Sequence, residues 1–238
     1  MPNSKRYPIT DWQKHLADLK LQSTNPAIRD FYNVNSIGKE TPLSEVPFVA
    51  LDFETTGLNA DKDEIISIGL VPFSLNRIYL SQSKQWLVKP RKKLNSDSVV
   101  IHGITHSELE DAPDLTLILS ELMDCLAGKI VVVHYRDVER PFLDQALKRR
   151  LNEGIDFPIV DTLQIEWDIQ QKLVQGLWNR LKGKKTQSVR LAASRERYNL
   201  PPYTPHDALV DAIATAELLQ AQVYYHFSPK TPIKALWL

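Results

Sequence analysis

Asp52 and Glu54 stand two residues apart in the stretch Phe48 to Leu58, FVALDFETTGL. An apolar run, Phe48 to Leu51, leads into them, and Thr55, Thr56 and Gly57 end it. If the run is a β-strand, successive side chains alternate between faces and the two acids share one. Neighbouring like charges repel and are not placed there for stability. A divalent cation between them turns that repulsion into binding, because carboxylate oxygens are its natural ligands. The competing reading is an edge strand with two solvated acids.

Two later segments carry ionisable residues that could converge on that strand. In HYRDVERPFL, residues 134–143, an apolar strand ends at His134, and Asp137 and Glu139 open the helix that follows. In HDALVDAIATAEL, residues 206–218, His206 precedes Asp211 by five positions. Asp211 falls inside an Ala-, Ile- and Leu-rich helix, where an unpaired acid is costly. Five residues turn a helix by about 140°, so His206, at the loop edge, and Asp211 are expected to approach one site from different directions. Histidine ordinarily titrates near neutrality and suits proton exchange, although a lone histidine is more often structural or solvated.

The elements that must hold these residues follow from hydrophobic periodicity and punctuation. Residues 1–46 are expected to form a helical extension and linker. Thr10 with Gln13 fits a capping box, Trp12, Leu16 and Leu19 fall at helical spacing, and a second helix covers Pro26 to Tyr32. Strands are expected at 48–54, 64–73 and 77–88, joined by short links as an antiparallel meander. Thr105 with Glu108 is a second capping box, and 113–126 is a strongly amphipathic helix. Strands at 129–134 and 157–160 then alternate with helices at 138–151, 162–173, 187–198 and 206–225, before an irregular tail at 228–238. Three meandering strands followed by helix and strand in alternation predict an α/β fold: a mixed five-stranded sheet, helices on both faces, and the acidic strand near the centre.

The 238 residues are 43% hydrophobic and 24% charged with a formal net charge of +0, so no global field draws the chain to polyanions. Nucleic-acid affinity would need local patches; Arg91, Lys92 and Lys93 form one, and Lys182, Lys184 and Lys185 another. The lone cysteine, Cys125, cannot form an internal disulfide, which favours a reducing compartment. No apolar run approaches the ~20 residues that span a bilayer, and the first residues lack the apolar core of a signal peptide. A cytoplasmic protein with no membrane partner is expected.

Taken together, DFETTGL at 52–58, the His134-x4-Glu139 segment and the closing HDALVDAIATAEL resemble the DEDDh 3′–5′ exonucleases, a family that includes the proofreading ε subunit of bacterial DNA polymerase III and RNase T. The run His102-Gly103-Ile104-Thr105 is similar to a substrate-side element of that family. The resemblance implies an RNase H-like exonuclease domain over 47–227, between the extension and the tail. It implies two divalent cations, Mg²⁺ or Mn²⁺, held by Asp52, Glu54, Glu139 and Asp211, with His206 as general base. Thr55, Thr56, Gly57 and Leu58 would border the terminal nucleotide, and His102 and Ile104 its sugar and base. The implied partners are 3′ ends of single-stranded DNA or RNA, and a DNA polymerase subunit or a second copy of the chain. Two positions depart from the family. Its middle motif usually ends in aspartate where this chain has Glu139, with Asp137 as the alternative after a two-residue slip, and its usual asparagine after the histidine is Tyr135. A nucleic-acid-binding or polymerase-associated module with weak or lost activity, and a small-nucleotide phosphoesterase, are the competing functions.

Neutralising either basic cluster is expected to raise KM for long oligonucleotides and to flatten its dependence on salt, because each phosphate contact releases counterions. An unchanged salt slope would return both clusters to solvated loops.

Overall fold

The protein is described by a computed structural model over residues 11–34, 37–91, 103–175 and 186–238. Strand β1 (Phe48–Thr55) is central in a mixed sheet. Strand β2 (Ile65–Ser74) runs antiparallel along it, from Phe48 opposite Phe73 to Thr55 opposite Ile65, with an irregularity between Glu54 and Thr55. On the other side β1 pairs in parallel with β5 (Ile130–Val133), which pairs in parallel with β6 (Ile159–Asp161). These β-branched and aromatic runs are buried on both faces, as expected of strands covered by helices.

Among the described residues the sheet has six strands, not the expected five. The segment 77–88 divides into β3 (Arg77–Ile78) and β4 (Lys84–Leu87) around a 3-10 turn at Leu80–Gln82, and both pair with β2. Pro72 accounts for the break. Its carbonyl accepts from the Tyr79 amide at 2.9 Å, so its backbone faces this edge, and a proline has no N–H with which to continue the ladder. The partner therefore bulges: Phe73 faces Ile78 but Leu70 faces Lys84.

Alternation along β1 divides the core. Val49, Leu51 and Phe53 pack against helices α1 (Trp12–Gln22), α2 (Pro26–Val34), α4 (Leu115–Leu126) and α5 (Arg136–Leu151). The short helix α3 (His106–Asp111) precedes α4 and opens with the expected Thr105–Glu108 capping box. Phe48 and Ala50 face the opposite side, against Ile165 of α6 (Thr162–Gln175) and Ala212, Ala216, Leu219 and Val223 of α8 (Ala208–His226). Asp52 and Glu54 continue this second face.

The extension shares the first core: Trp12, Ile28, Phe31 and Tyr32 are buried in it. Asp11 caps α1, accepting from the Lys14 amide at 3.1 Å; Thr10 lies outside the described residues. Glu153, just beyond α5, accepts from the amides of Thr24 (3.0 Å) and Asn25 (2.9 Å) and so ties the start of α2 to the domain. The tail is also held: the Leu238 amide donates to the Ile159 carbonyl at 2.8 Å, and Ile233 and Leu236 are buried. Helix α7 (Leu191–Arg197) begins later than its sequence pattern suggests, and α8 begins at Ala208, leaving His206 outside it. No helix among the described residues is long and apolar enough to cross a membrane.

Gly69 sets how closely α8 approaches the sheet. It lies opposite Asp52 on β2, and a Cβ there would overlap the Ala208 carbonyl and the Leu209 nitrogen. The first turn of α8 therefore rests directly on β2 beside Asp52. Gly69→Ala is expected to cost about 1–3 kcal/mol in urea unfolding, since backbone must move. An unchanged unfolding midpoint would contradict this seating of the helix.

Candidate active site

The parallel strands β1, β5 and β6 point their carboxyl ends toward one edge, where crevices of open α/β sheets form. β1 pairs with β5 only over Phe48 to Ala50. Beyond that pairing a cavity of about 540 Å³ is lined by Asp52, Glu54, Thr55, Thr56, Gly57, Leu58, His134, Tyr135, Val138, Glu139, Leu191, His206 and Asp211, among others. Carboxylate oxygens of Asp52, Glu54 and Asp211 lie within 4.8 Å of one another. Glu139 is 3% exposed, and its Oε2 has no hydrogen-bond partner among the described residues. Asp137, the alternative middle acid, does not line the cavity; it stands 3.8 Å from the Arg136 Nε. Ile104 is half-buried and does not line it either. His102, Lys92, Lys93 and residues 182–185 lie outside the described residues.

Each entry to the site is held by local hydrogen bonds. The Thr55 hydroxyl donates to the Gly57 carbonyl at 2.6 Å, and the Thr56 amide to the Glu64 carbonyl at 2.9 Å. The Asp63 carboxylate accepts from the Asn59 amide at 2.8 Å and fills the space where a Cβ on Gly57 would stand. Arg149 donates to the carbonyls of Ala60 (2.9 Å) and Asp63 (3.0 Å), so α5 braces the loop that ends in Leu58 on its site side.

His206 adopts a left-handed conformation (φ 73°), and its amide donates to the Asp211 carboxylate at 2.8 Å. Asp207 caps α8, accepting from Leu209 and Val210 at 3.0 Å each. The Asp211 carboxylate also bonds the Tyr203 hydroxyl. The Arg195 guanidinium lies 5.1 Å from the Tyr203 ring centroid and donates to the Pro201 carbonyl at 3.0 Å, so α7 steadies the proline-rich approach to α8.

The start of α5 is the second such entry. Tyr135 has φ 104°, which for a bulky residue costs on the order of 1–3 kcal/mol. The buried Asp161 carboxylate offsets this by accepting the amides of Tyr135 and Arg136, each at 3.1 Å, and of Leu163 at 2.9 Å. His134 is half-buried, and desolvation pushes its pKa down to about 4. Its Nε2 lies 3.1 Å from the Val189 carbonyl and its Nδ1 lies 2.8 Å from the Thr162 hydroxyl, within hydrogen-bonding distance of both. It ties the segment before α7 to the end of β5.

Burial raises the Asp52 carboxyl pKa, with Glu139, Asp211 and Glu54 adding repulsion. Burial also raises Glu139, with Asp161 and Asp137 adding to it. Asp211 is raised by burial against the opposing bonds from Tyr203 and His206. These crowded acids, one carrying a buried oxygen with no hydrogen-bond partner among the described residues, fit the donor set of a hard divalent cation. Sequence patterns did not single out Asp161, Tyr203 or Gly69. Asp161 at a strand end was a visible signal; Tyr203 and Gly69 act through contacts that no spacing encodes.

A family model described as exonuclease matches residues 49–219. The chain is 30% identical over 185 residues to a DNA polymerase III PolC-type of Thermotoga maritima, covering 78% of this chain but only 12% of that relative's length. It is 28% identical over 181 residues to a DNA polymerase III subunit epsilon of Treponema pallidum, covering 76% of this chain and 78% of the other. Its fold is similar to the nuclease domain of 3′hExo, a DEDDh family member bound to rAMP, with a TM-score of 0.60 at 15% identity over 76% of this chain and 92% of that one.

The raised carboxyls set the sign of a pH effect. In the metal-free protein they hold protons that the unfolded chain has already released, so their contribution to stability falls as pH rises from the ordinary carboxylate range through the raised values. In EDTA, Glu139→Gln is expected to raise the thermal midpoint at neutral pH and to flatten its decline above about pH 4. Asp137→Asn should do neither. A wild-type midpoint that declines no more steeply than that of Glu139→Gln would contradict the crowding of Glu139.

Proposed function

The chain belongs to the exonuclease family, and on that premise we propose that it is of the DEDDh type and hydrolyses phosphodiester bonds from the 3′ end of single-stranded DNA or RNA in the cytoplasm, releasing nucleoside 5′-monophosphates. One observation carries this reading: carboxylates from β1 and α8 meet within 4.8 Å in a cavity that His206 and Glu139 also line. Asp52, Glu54, Glu139 and Asp211 would hold two divalent cations, Mg²⁺ or Mn²⁺. Bound there, such cations supply a water activated at neutral pH and neutralise charge developing on the phosphate. Asp52, on the central strand and repelled by Glu139, Asp211, Glu54 and Asp207, would gain most from a nearby positive charge.

His206 is exposed at the cavity and would take the proton of the attacking water. Its left-handed backbone is pinned by Asp211, so a metal ligand and the base are set by one hydrogen bond. Thr55, Thr56, Gly57 and Leu58 would border the terminal nucleotide; Leu58 is 87% exposed there. His102 and Ile104 would approach its sugar and base. The polymerase subunits among the relatives support a DNA polymerase subunit as partner, with a second copy of the chain as the other candidate.

The test is digestion of matched DNA and RNA oligonucleotides carrying a 3′ or a 5′ label. With Mg²⁺ or Mn²⁺ the 3′ label should leave as a mononucleotide while the 5′ label shortens in steps, and EDTA should stop both. His206→Ala is expected to slow release by roughly 10²–10⁴-fold. An intact oligonucleotide would leave only a binding module, and cleavage of mononucleotide esters alone would leave a small-nucleotide phosphoesterase.

A further inference from the structure

Among the described residues, four non-glycine positions have positive φ: Tyr135, Asn152, Asn199 and His206. Asparagine tolerates this region, and His206 at φ 73° is pinned by the Asp211 carboxylate. Tyr135, at φ 104°, is the bulky outlier. Its backbone is accounted for, since Asp161 accepts its amide. Its side chain is not: it is 38% exposed, and among the described residues its hydroxyl has no hydrogen-bond partner and its ring no ring contact. An asparagine would satisfy the same backbone with less strain. A strained aromatic residue that lines the cavity, on the wall that also holds Glu139, and that stays 38% exposed there, points to a ligand outside the protein.

We propose that the Tyr135 ring is a stacking platform for a base of the single strand as its end enters the cavity. The inference rests on the exonuclease reading above. An aromatic face accepts any base, which suits a nuclease that reads no sequence. The ring's place is set by the backbone turn rather than by side-chain packing. Asp161 acts through that turn as a positioning residue, holding the amides on either side of the Tyr135 Cα.

The test crosses side-chain variants with base deletion. KM and kcat would be measured on oligonucleotides ending in normal nucleotides and on ones carrying an abasic unit at the last or the penultimate position. Tyr135→Ala is expected to raise KM about tenfold on normal ends, with a smaller effect on kcat, and Tyr135→Phe to stay within about twofold of wild type. For one of the two abasic substrates the penalty of Tyr135→Ala should largely vanish, because the partner base is already gone. Tyr135→Asn should share the KM defect while its thermal midpoint stays equal or rises, since strain is relieved. An unchanged KM on normal ends, a penalty that persists in full on both abasic substrates, or a fall in the midpoint of Tyr135→Asn would overturn the proposal. Failure of wild type to release any nucleotide would instead overturn the exonuclease reading beneath it.

Discussion

Mutual repulsion among carboxylates in a poorly solvated crevice is the constraint on which the rest of this structure depends. Asp52, Glu54 and Asp211 present oxygens within 4.8 Å of one another, and Glu139 adds a buried carboxylate with an oxygen unpartnered among the described residues. Left alone, such groups would move apart or take up protons, and burial does raise the pKa of Asp52, Glu139 and Asp211. They stay together because each is mounted on something that cannot yield. Asp52 and Glu54 belong to a strand paired on both sides near its start. Asp211 belongs to a helix seated on Gly69. The apolar core thereby holds together a group of acids whose charges repel one another.

The two helices that deliver the later acids start in the same way. At α8 the left-handed His206 gives its amide to Asp211, and at α5 the left-handed Tyr135 gives its amide to Asp161. In both, a carboxylate satisfies a backbone donor exposed by a sharp entry into the helix, which ordinary capping by the preceding side chain would not reach. The difference is one of exposure to the cavity. Asp211 lines it and serves both backbone and site, whereas Asp161 is buried behind it and serves the backbone alone. Strain at these turns is consistent with their place beside the chemistry, since a relaxed turn would aim the following residues elsewhere.

The helical extension and the tail are part of the same stabilising system. Trp12, Phe31 and Tyr32 close the core face of the sheet opposite α8, and Glu153 ties the start of α2 to the end of α5. That end also carries Arg149, which holds the Ala60 and Asp63 carbonyls, and so the loop from Thr55 to Leu58. A disturbance of the extension therefore has a short route to the cavity wall formed by Thr55 to Leu58.

The sequence by itself determined the strand that carries Asp52 and Glu54, the helix that carries Asp211, the α/β class and the family. These rest on local periodicity and on residue types at short spacing, which chain geometry converts directly into shared faces. It left Glu139 and Asp137 as alternatives, because two residues at a helix start differ only in where the helix points. The tertiary structure turned Glu139 into the cavity and Asp137 toward Arg136. It also divided the third strand, because the missing N–H of Pro72 matters only once a partner strand lies beside it. Gly69, Tyr203 and Asp161 acquired their roles in the same way. Each acts across a contact between segments distant in the chain, and such contacts leave no period or spacing in the sequence.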